Sequence, residues 1–261
     1  MKKPEIAMLE TLAEIAKDHT EDIVLCGGMA VFAHYYHKGA LVSPVFTEDA
    51  DLLLNRKVMS QGKLSPIDSK PLSEILKAHG YEAVPTVHPI GNELHWEKWQ
   101  NEDSEFHIEF LTDDHQKERH EISGVVAQGL SYFSMSLTNF SKVRLPSGTI
   151  LKVASPEACI LHKALTYNRR LRKEKKHKDL YYISYITLVL FEDIERMFNA
   201  VCSLRAHPKW ISKGIANMAN ISDSLDQWID LIIVQDSEGL LNKENVKEVF
   251  EGFKNFHKNR K

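Results

Sequence analysis

The sequence predicts a mixed α/β domain with a short mixed sheet, followed by an all-α C-terminal region. Three observations predict it. Before residue 150, short apolar runs that read as strands alternate with segments of helical period. After Pro156 the apolar spacing is helical throughout, with no strand signal. The length, 261 residues with 43% apolar and 26% charged residues, suits one large domain or two modest ones. The change in character sets a boundary near residue 150, giving regions 1–150 and 151–261.

Each element follows from its residues. Ile6, Leu9, Leu12, Ala13 and Ile15 recur at helical spacing, so residues 4–18 form an amphipathic helix. Residues 22–26, DIVLC, read as a short buried strand. Gly27-Gly28 ends that strand, and MAVFAHYYH continues as a helix. DADLLL, residues 49–54, is a second strand, and the polar stretch 55–70 is a loop. PLSEILKAHG, residues 71–80, is a helix with Pro71 near its first turn and Gly80 past its end. YEAVPTVHPI and NELHWEKW read as strands. In SEFHIEFLT, residues 104–112, Phe106, Ile108 and Phe110 alternate with Glu105, His107 and Glu109, as on a half-buried strand. SKVRLPSGTILKVAS, residues 141–155, is a hairpin turning at Pro146-Ser147-Gly148. From Pro156 onward several helices follow.

Composition excludes several function classes. A formal charge of −3 offers no global attraction for nucleic acid, so any basic site is local. Cys26, Cys159 and Cys202 are odd in number and far apart, which fits a reducing compartment rather than a disulfide framework. No apolar run approaches the ~18 residues of a membrane span. Glu5 and Glu10 in the first helix argue against a secretory signal. The expected location is the cytoplasm, with no membrane partner. The thirteen histidines are scattered without a zinc-binding spacing, and no GxSxG supports serine chemistry.

The chemistry concentrates in two stretches. On a strand, Asp49 and Asp51 point the same way, roughly 6.5–7 Å apart. Ala50, Leu52 and Leu54 take the opposite, core-facing side. Two carboxylates so placed repel, and one takes up a proton unless a cation lies between them. A divalent ion resolves the conflict, and two such ions about 3.5–4 Å apart hold a triphosphate and activate an attacking oxygen. Mg²⁺ suits an all-oxygen set, with Mn²⁺ as the alternative. A third acid completes such a site. Glu109 is the best placed, with Glu105 and Asp113 as alternatives at the ends of its segment. A strand ending in Gly27-Gly28 and opening a helix leaves backbone N–H groups where a phosphate can lie, although a tight turn needs the same glycines.

These residues, Gly27-Gly28-Met29-Ala30-Val31 followed by Thr47-Glu48-Asp49-Ala50-Asp51-Leu52, resemble the signature of the DNA polymerase β-type nucleotidyltransferase superfamily. Glu109-Phe110-Leu111-Thr112 is similar to the third-carboxylate strand of its stand-alone bacterial members. Pro156-Glu157, His162 to Leu165, Arg169-Arg170 and Lys175 to Leu180 resemble their helical half. AbiEii-like and MenT-like toxins share this layout. The likeness covers roughly residues 22–185. It implies that Gly27, Gly28 and Thr47 hold the nucleotide triphosphate and that Asp49, Asp51 and Glu109 bind two Mg²⁺. It also implies that Lys163, Arg169, Lys178 and Asp179 serve the nucleotide, with Asp179 orienting Lys178.

In the basic segment LHKALTYNRRLRKEKKHKDLYY, Lys163 and Arg170 share a helix face, being seven residues apart. Arg172, Lys173, Lys175 and Lys176 read as a solvated face. The expected activity is transfer of a nucleoside monophosphate from an NTP to an acceptor hydroxyl. The acceptor stays open between tRNA, a protein side chain and a small molecule, and the toxin likeness implies an antitoxin partner. The rival expectation is a nucleotide- or partner-binding module on the same fold without transfer.

Overall fold

The computed structural model describes residues 4–39, 47–55, 70–87, 94–114, 119–236 and 239–260. All but the two ends of the expected loop 55–70 lies outside these residues. The chain forms two compact units, Met1–Ala154 and Ser155–Lys261.

The first unit opens with helix α1 (Pro4–Ala16), whose Leu9, Leu12, Ala13 and Ile15 are fully buried. Strand β1 (Ile23–Cys26) runs directly into helix α2 (Gly27–His37), and strand β2 spans Asp49–Leu54. Helix α3 (Leu72–Ala78) precedes strands β3 (Glu82–Val87), β4 (Leu94–Gln100) and β5 (His107–Thr112). Then come β6 (Arg119–Ile122), β7 (Val125–Gly129), a short helix α4 (Ser134–Thr138), β8 (Phe140–Arg144) and β9 (Ile150–Ala154).

These strands make one mixed sheet of nine described strands, in the order β3-β4-β5-β2-β1-β9-β8, with β7 against β5 and β6 against β7. β5 is the junction. Its first half pairs antiparallel with β4, its last residues pair parallel with β7, and its whole length pairs parallel with β2. Ala50 and Leu52 of β2 and Ile108 and Phe110 of β5 are wholly buried on one face. Burying a leucine or phenylalanine side chain contributes about 1.5–3 kcal/mol, so this face holds the two strands in register.

The β6–β7 hairpin was not expected from the sequence. It turns at Ser123-Gly124, both with positive φ (52° and 77°), the backbone of a tight two-residue hairpin. The Ser123 hydroxyl accepts from Leu72 N at 3.0 Å, so the same turn ties down the start of α3.

The second unit contains α5 (Pro156–Thr166), α6 (Lys173–Tyr185), α7 (Ile194–Ser203), α8 (Pro208–Ser222), α9 (Ile229–Ile233) and α10 (Lys243–Asn259). Pro156 sits in the first turn of α5, where its missing N–H costs nothing. Asn242 and Asn245 cap α10 reciprocally, a box that satisfies two orphan donors. A π-helical stretch, Ile186–Phe191, continues α6 and ends at Glu192, whose φ of 63° is left-handed. Among the described residues no helix is long and apolar enough to cross a membrane.

Candidate active site

The site is built by strand register. β2 and β5 align Asp49 with His107, Ala50 with Ile108 and Asp51 with Glu109. Side chains alternate along each strand. Asp49, Asp51, His107 and Glu109 therefore share one face, and Ala50, Leu52, Ile108 and Phe110 take the other. β4 adds a fifth group, because its register places Lys98 beside Glu109.

Four of these side chains, Lys98, His107, Asp49 and Glu109, interact closely. Lys98 Nζ lies 2.9 Å from Glu109 Oε1 and 3.8 Å from Asp49 Oδ1. His107 Nε2 pairs with Asp49 Oδ1 and lies 3.5 Å from Glu109 Oε1. The hydrogen bonds to Asp49 and then Glu109 push His107 up to about 9, against the opposing effect of burial. For Glu109, burial acts upward, yet His107 and Lys98 outweigh it and hold the carboxyl below its ordinary value. Lys98 Nζ also approaches His107 Nε2 at 2.7 Å. That nitrogen cannot donate to Asp49 and accept from Lys98 at once. With carboxylates on both sides, the donor role prevails, and Lys98 is a second cation drawn in by the same acids.

Asp51 has a separate setting. Gly27, the first residue of α2, has φ +67°, and a β-carbon built there would stand 2.0 Å from Asp51 Oδ2. The Asp51 carboxylate thus lies at the start of α2, where Cys26 provides no side-chain cap. Positive charge of the helix dipole favours an anion at that end. Gly28 is buried in the first turn. Thr47 is buried, and its hydroxyl donates to Asp49 O at 3.2 Å and accepts from Asp49 N at 3.4 Å. It fixes the entry into β2.

Among the described residues, Asp49, His107 and Glu109 form a group whose ligand atoms all lie within 4.8 Å of one another. Two carboxylates and an imidazole are donors that fit a divalent ion, and an ammonium and an imidazolium already fill the cationic role there. Of the alternatives for the third acid, Asp113 instead accepts from Phe133 N at 2.8 Å. Glu105 precedes β5 and, with His107, lines an open cavity of about 910 Å³.

The basic residues lie in the second unit. Asp179 is almost fully buried and binds Lys163 Nζ at 3.0 Å and Arg170 Nε at 2.9 Å. Lys163 also stands 4.0 Å over the ring of Tyr182, a cation–π contact. Arg169 ends a 3₁₀ turn, Tyr167–Arg169, and Lys178 lies in α6. Asp179 therefore holds Lys163 and Arg170.

A family model described as a nucleotidyltransferase matches residues 7–203. The chain belongs to this nucleotidyltransferase family. A solved structure, an antigenic nucleotidyltransferase-like protein from Paracoccidioides brasiliensis, is similar, with TM-score 0.46 and 16% identity. The similarity covers 86% of this chain and 91% of that one. No curated protein matches the sequence.

Sequence reasoning missed two groups of this nucleotidyltransferase's cluster. His107 was visible in the alternation of HIEFL, two residues from Glu109 and so on the same face. Lys98 had no such signal, because only the β4–β5 register brings it to the acids.

Proposed function

We propose that this nucleotidyltransferase moves a nucleoside monophosphate from an NTP to an acceptor hydroxyl, with Mg²⁺ and release of pyrophosphate. One observation carries the reading: Asp49, Asp51 and Glu109 share one face of adjacent strands whose other face is core. Asp49, Asp51 and Glu109 would hold the metal, Mg²⁺ or alternatively Mn²⁺. Bound there, two ions supply charge neutralisation at the triphosphate and a lowered pKa for the attacking hydroxyl.

The chain's own groups do the rest. Glu109 accepts the acceptor's proton at its carboxylate. Gly27 leaves the space in which Asp51 is held, and Thr47 fixes the backbone of Asp49. By resemblance, Gly27, Gly28 and Thr47 position the triphosphate, and Lys163, Arg169, Lys178 and Asp179 serve the nucleotide. The acceptor is tRNA, a protein or a small molecule. The setting we infer from the motif layout is a cytoplasmic toxin of AbiEii-like or MenT-like type, restrained by an antitoxin.

Incubation with α-labelled NTPs, Mg²⁺ and mixed cellular RNA, protein and metabolites tests the reading. Label should appear in one acceptor class and vanish with Asp49→Asn. A labelled product formed equally well by Asp49→Asn overturns the site.

One observation favours a second reading. Lys98 and His107 already neutralise Asp49 and Glu109, as a binding module without transfer would require. Mg²⁺-dependent stabilisation by NTP with no transfer to any acceptor selects that reading.

A further inference from the structure

We propose that His107 is a metal ligand, and that its site takes a first-row transition ion, such as Zn²⁺, Fe²⁺ or Mn²⁺, in preference to Mg²⁺. The inference rests on the transfer reading only in placing a metal at Asp49 and Glu109.

The geometry converges. The ligand atoms of Asp49, His107 and Glu109 lie within 4.8 Å of one another. Ligands at 2.0–2.2 Å from one ion stand at most about 4.4 Å apart, so small side-chain rotations close the set. Asp51 is aimed differently, its carboxylate lying over Gly27. The imidazole is also held in place. His107 opens β5 opposite Asp49, and its backbone N–H donates to Glu48 O at 2.9 Å. The register places its backbone as it places those of the acids, and the ring itself pairs with Asp49 and Glu109.

The chemistry follows from the nitrogen. Mg²⁺ is a hard ion that takes oxygen ligands and gives up its waters reluctantly. Imidazole suits Zn²⁺ and Fe²⁺, and the two carboxylates also suit Mn²⁺, so one imidazole with two carboxylates makes a mixed N/O set open to all three. Lys98 competes for the same place, since its ammonium lies 2.9 Å from Glu109 Oε1. An ion entering the set displaces that ammonium and releases the proton that His107 Nε2 shares with Asp49, so removing Lys98 should tighten binding.

The test uses the full chain without nucleotide. Mn²⁺ is titrated and followed by electron paramagnetic resonance, and the bound ion is probed for ¹⁴N spin-echo modulation. The expected result is nitrogen modulation that changes to the ¹⁵N pattern in protein labelled with ¹⁵N-histidine and disappears in His107→Gln. His107→Gln should weaken Mn²⁺ and Zn²⁺ by at least about tenfold, the smallest loss seen when even an outer-shell partner of a ligand is removed. Mg²⁺ affinity should not fall, and Lys98→Met should bind both transition ions more tightly. The labelled wild-type measurement stands even if His107→Gln fails to fold. Bound Mn²⁺ without nitrogen modulation, or with modulation that survives in His107→Gln, overturns the proposal alone. Absence of bound Mn²⁺ also overturns it, and Mg²⁺-dependent transfer in that same protein would leave the proposed activity standing.

Discussion

The carboxylate of Asp51 fills the space where Gly27 would carry a side chain: a β-carbon there would lie 2.0 Å from Asp51 Oδ2. Gly27→Ala therefore meets two obstacles, the left-handed backbone, worth roughly 1–2 kcal/mol, and the carboxylate itself. Gly148 supplies the control, since it has φ +88° and open space around it. Gly148→Ala should show only the backbone effect. Gly27→Ala should lower the melting temperature further and abolish transfer. Equal shifts in the two variants, measured by thermal unfolding, would mean that Asp51 yields without consequence.

Asp49→Asn and Glu109→Gln should each reduce transfer by on the order of 10²–10³ or more, the size expected when a group acting on developing charge is removed. Both should fold. Repulsion between Asp49 and Asp51 suggests, from the sequence, that neutralising one acid stabilises the apo protein. The pairing with Lys98 and His107 reverses that expectation. Glu109→Gln leaves Lys98 with a weaker acceptor, so the melting temperature should fall slightly. A rise would show that repulsion dominates.

The Asp179 cluster gives a pH signature. Burial acts to raise the Asp179 carboxyl, but the charges of Lys163 and Arg170 outweigh it and leave it lowered. A carboxyl lowered in the folded state contributes stability above its unfolded value near 3.8, and that stability is lost as pH falls through the folded value. Asp179→Asn should lose stability at pH 7, toward the lower end of the ~3–5 kcal/mol range for breaking a buried pair, because Arg170 is partly exposed. Its urea midpoint should also fall less steeply than wild type below pH 4. Parallel acid profiles would remove Asp179 from that slope.

The three cysteines are thiols, and they should differ in reactivity. Burial pushes the Cys159 thiol up to about 12, and Cys26 is equally enclosed. Cys202 is half-exposed. The thiolate is the reactive form, so at pH 8 Cys202 should be alkylated rapidly and the other two only on unfolding. Peptide mapping after timed labelling reads this directly; fast labelling of Cys159 would show that α5 opens.

Lys173 and Lys175 are exposed at the start of α6, and Lys176 lies 5.6 Å from the Tyr167 ring. If the acceptor is RNA, a triple Lys173/Lys175/Lys176→Ala variant should flatten the salt dependence of RNA binding, by a slope of roughly 0.7–0.9 for each phosphate no longer neutralised. NTP affinity should stay unchanged. An unaltered slope would point to a protein or small-molecule acceptor.

The local elements of the site were readable because their periods are strong. Ala50, Leu52 and Leu54 are buried, and Asp49 and Asp51 lie on the other face, as alternation in DADLLL requires. The positions of Ile108 and Phe110 against Glu109 follow the same rule. The β6–β7 hairpin was not legible, because four-residue RHEI carries alternating charge and a single buried end, Ile122. Lys98 was hidden for a different reason. Nothing local to LHWEKWQ distinguishes it from a solvated lysine, and its meaning comes from Glu109 on the next strand. Asp179 illustrates the same limit, since its partners lie 16 and 9 residues back in the chain.

The pairing of β2 with β5 also decides which changes of length the chain can absorb. A strand moved by one residue turns its entire set of side chains to the other face, so deleting one residue between Asp49 and Leu54 would drive carboxylates into the layer of Ile108 and Phe110. A two-residue shift is subtler. It would keep apolar against apolar, yet set Asp49 beside Glu109 and carry Asp51 away from Gly27. Such a protein could still collapse around its core while its acids no longer met. Insertions in the connections before and after these strands carry no such penalty, so drift in chain length among descendants of this sequence should accumulate there and spare the twelve positions of the two strands.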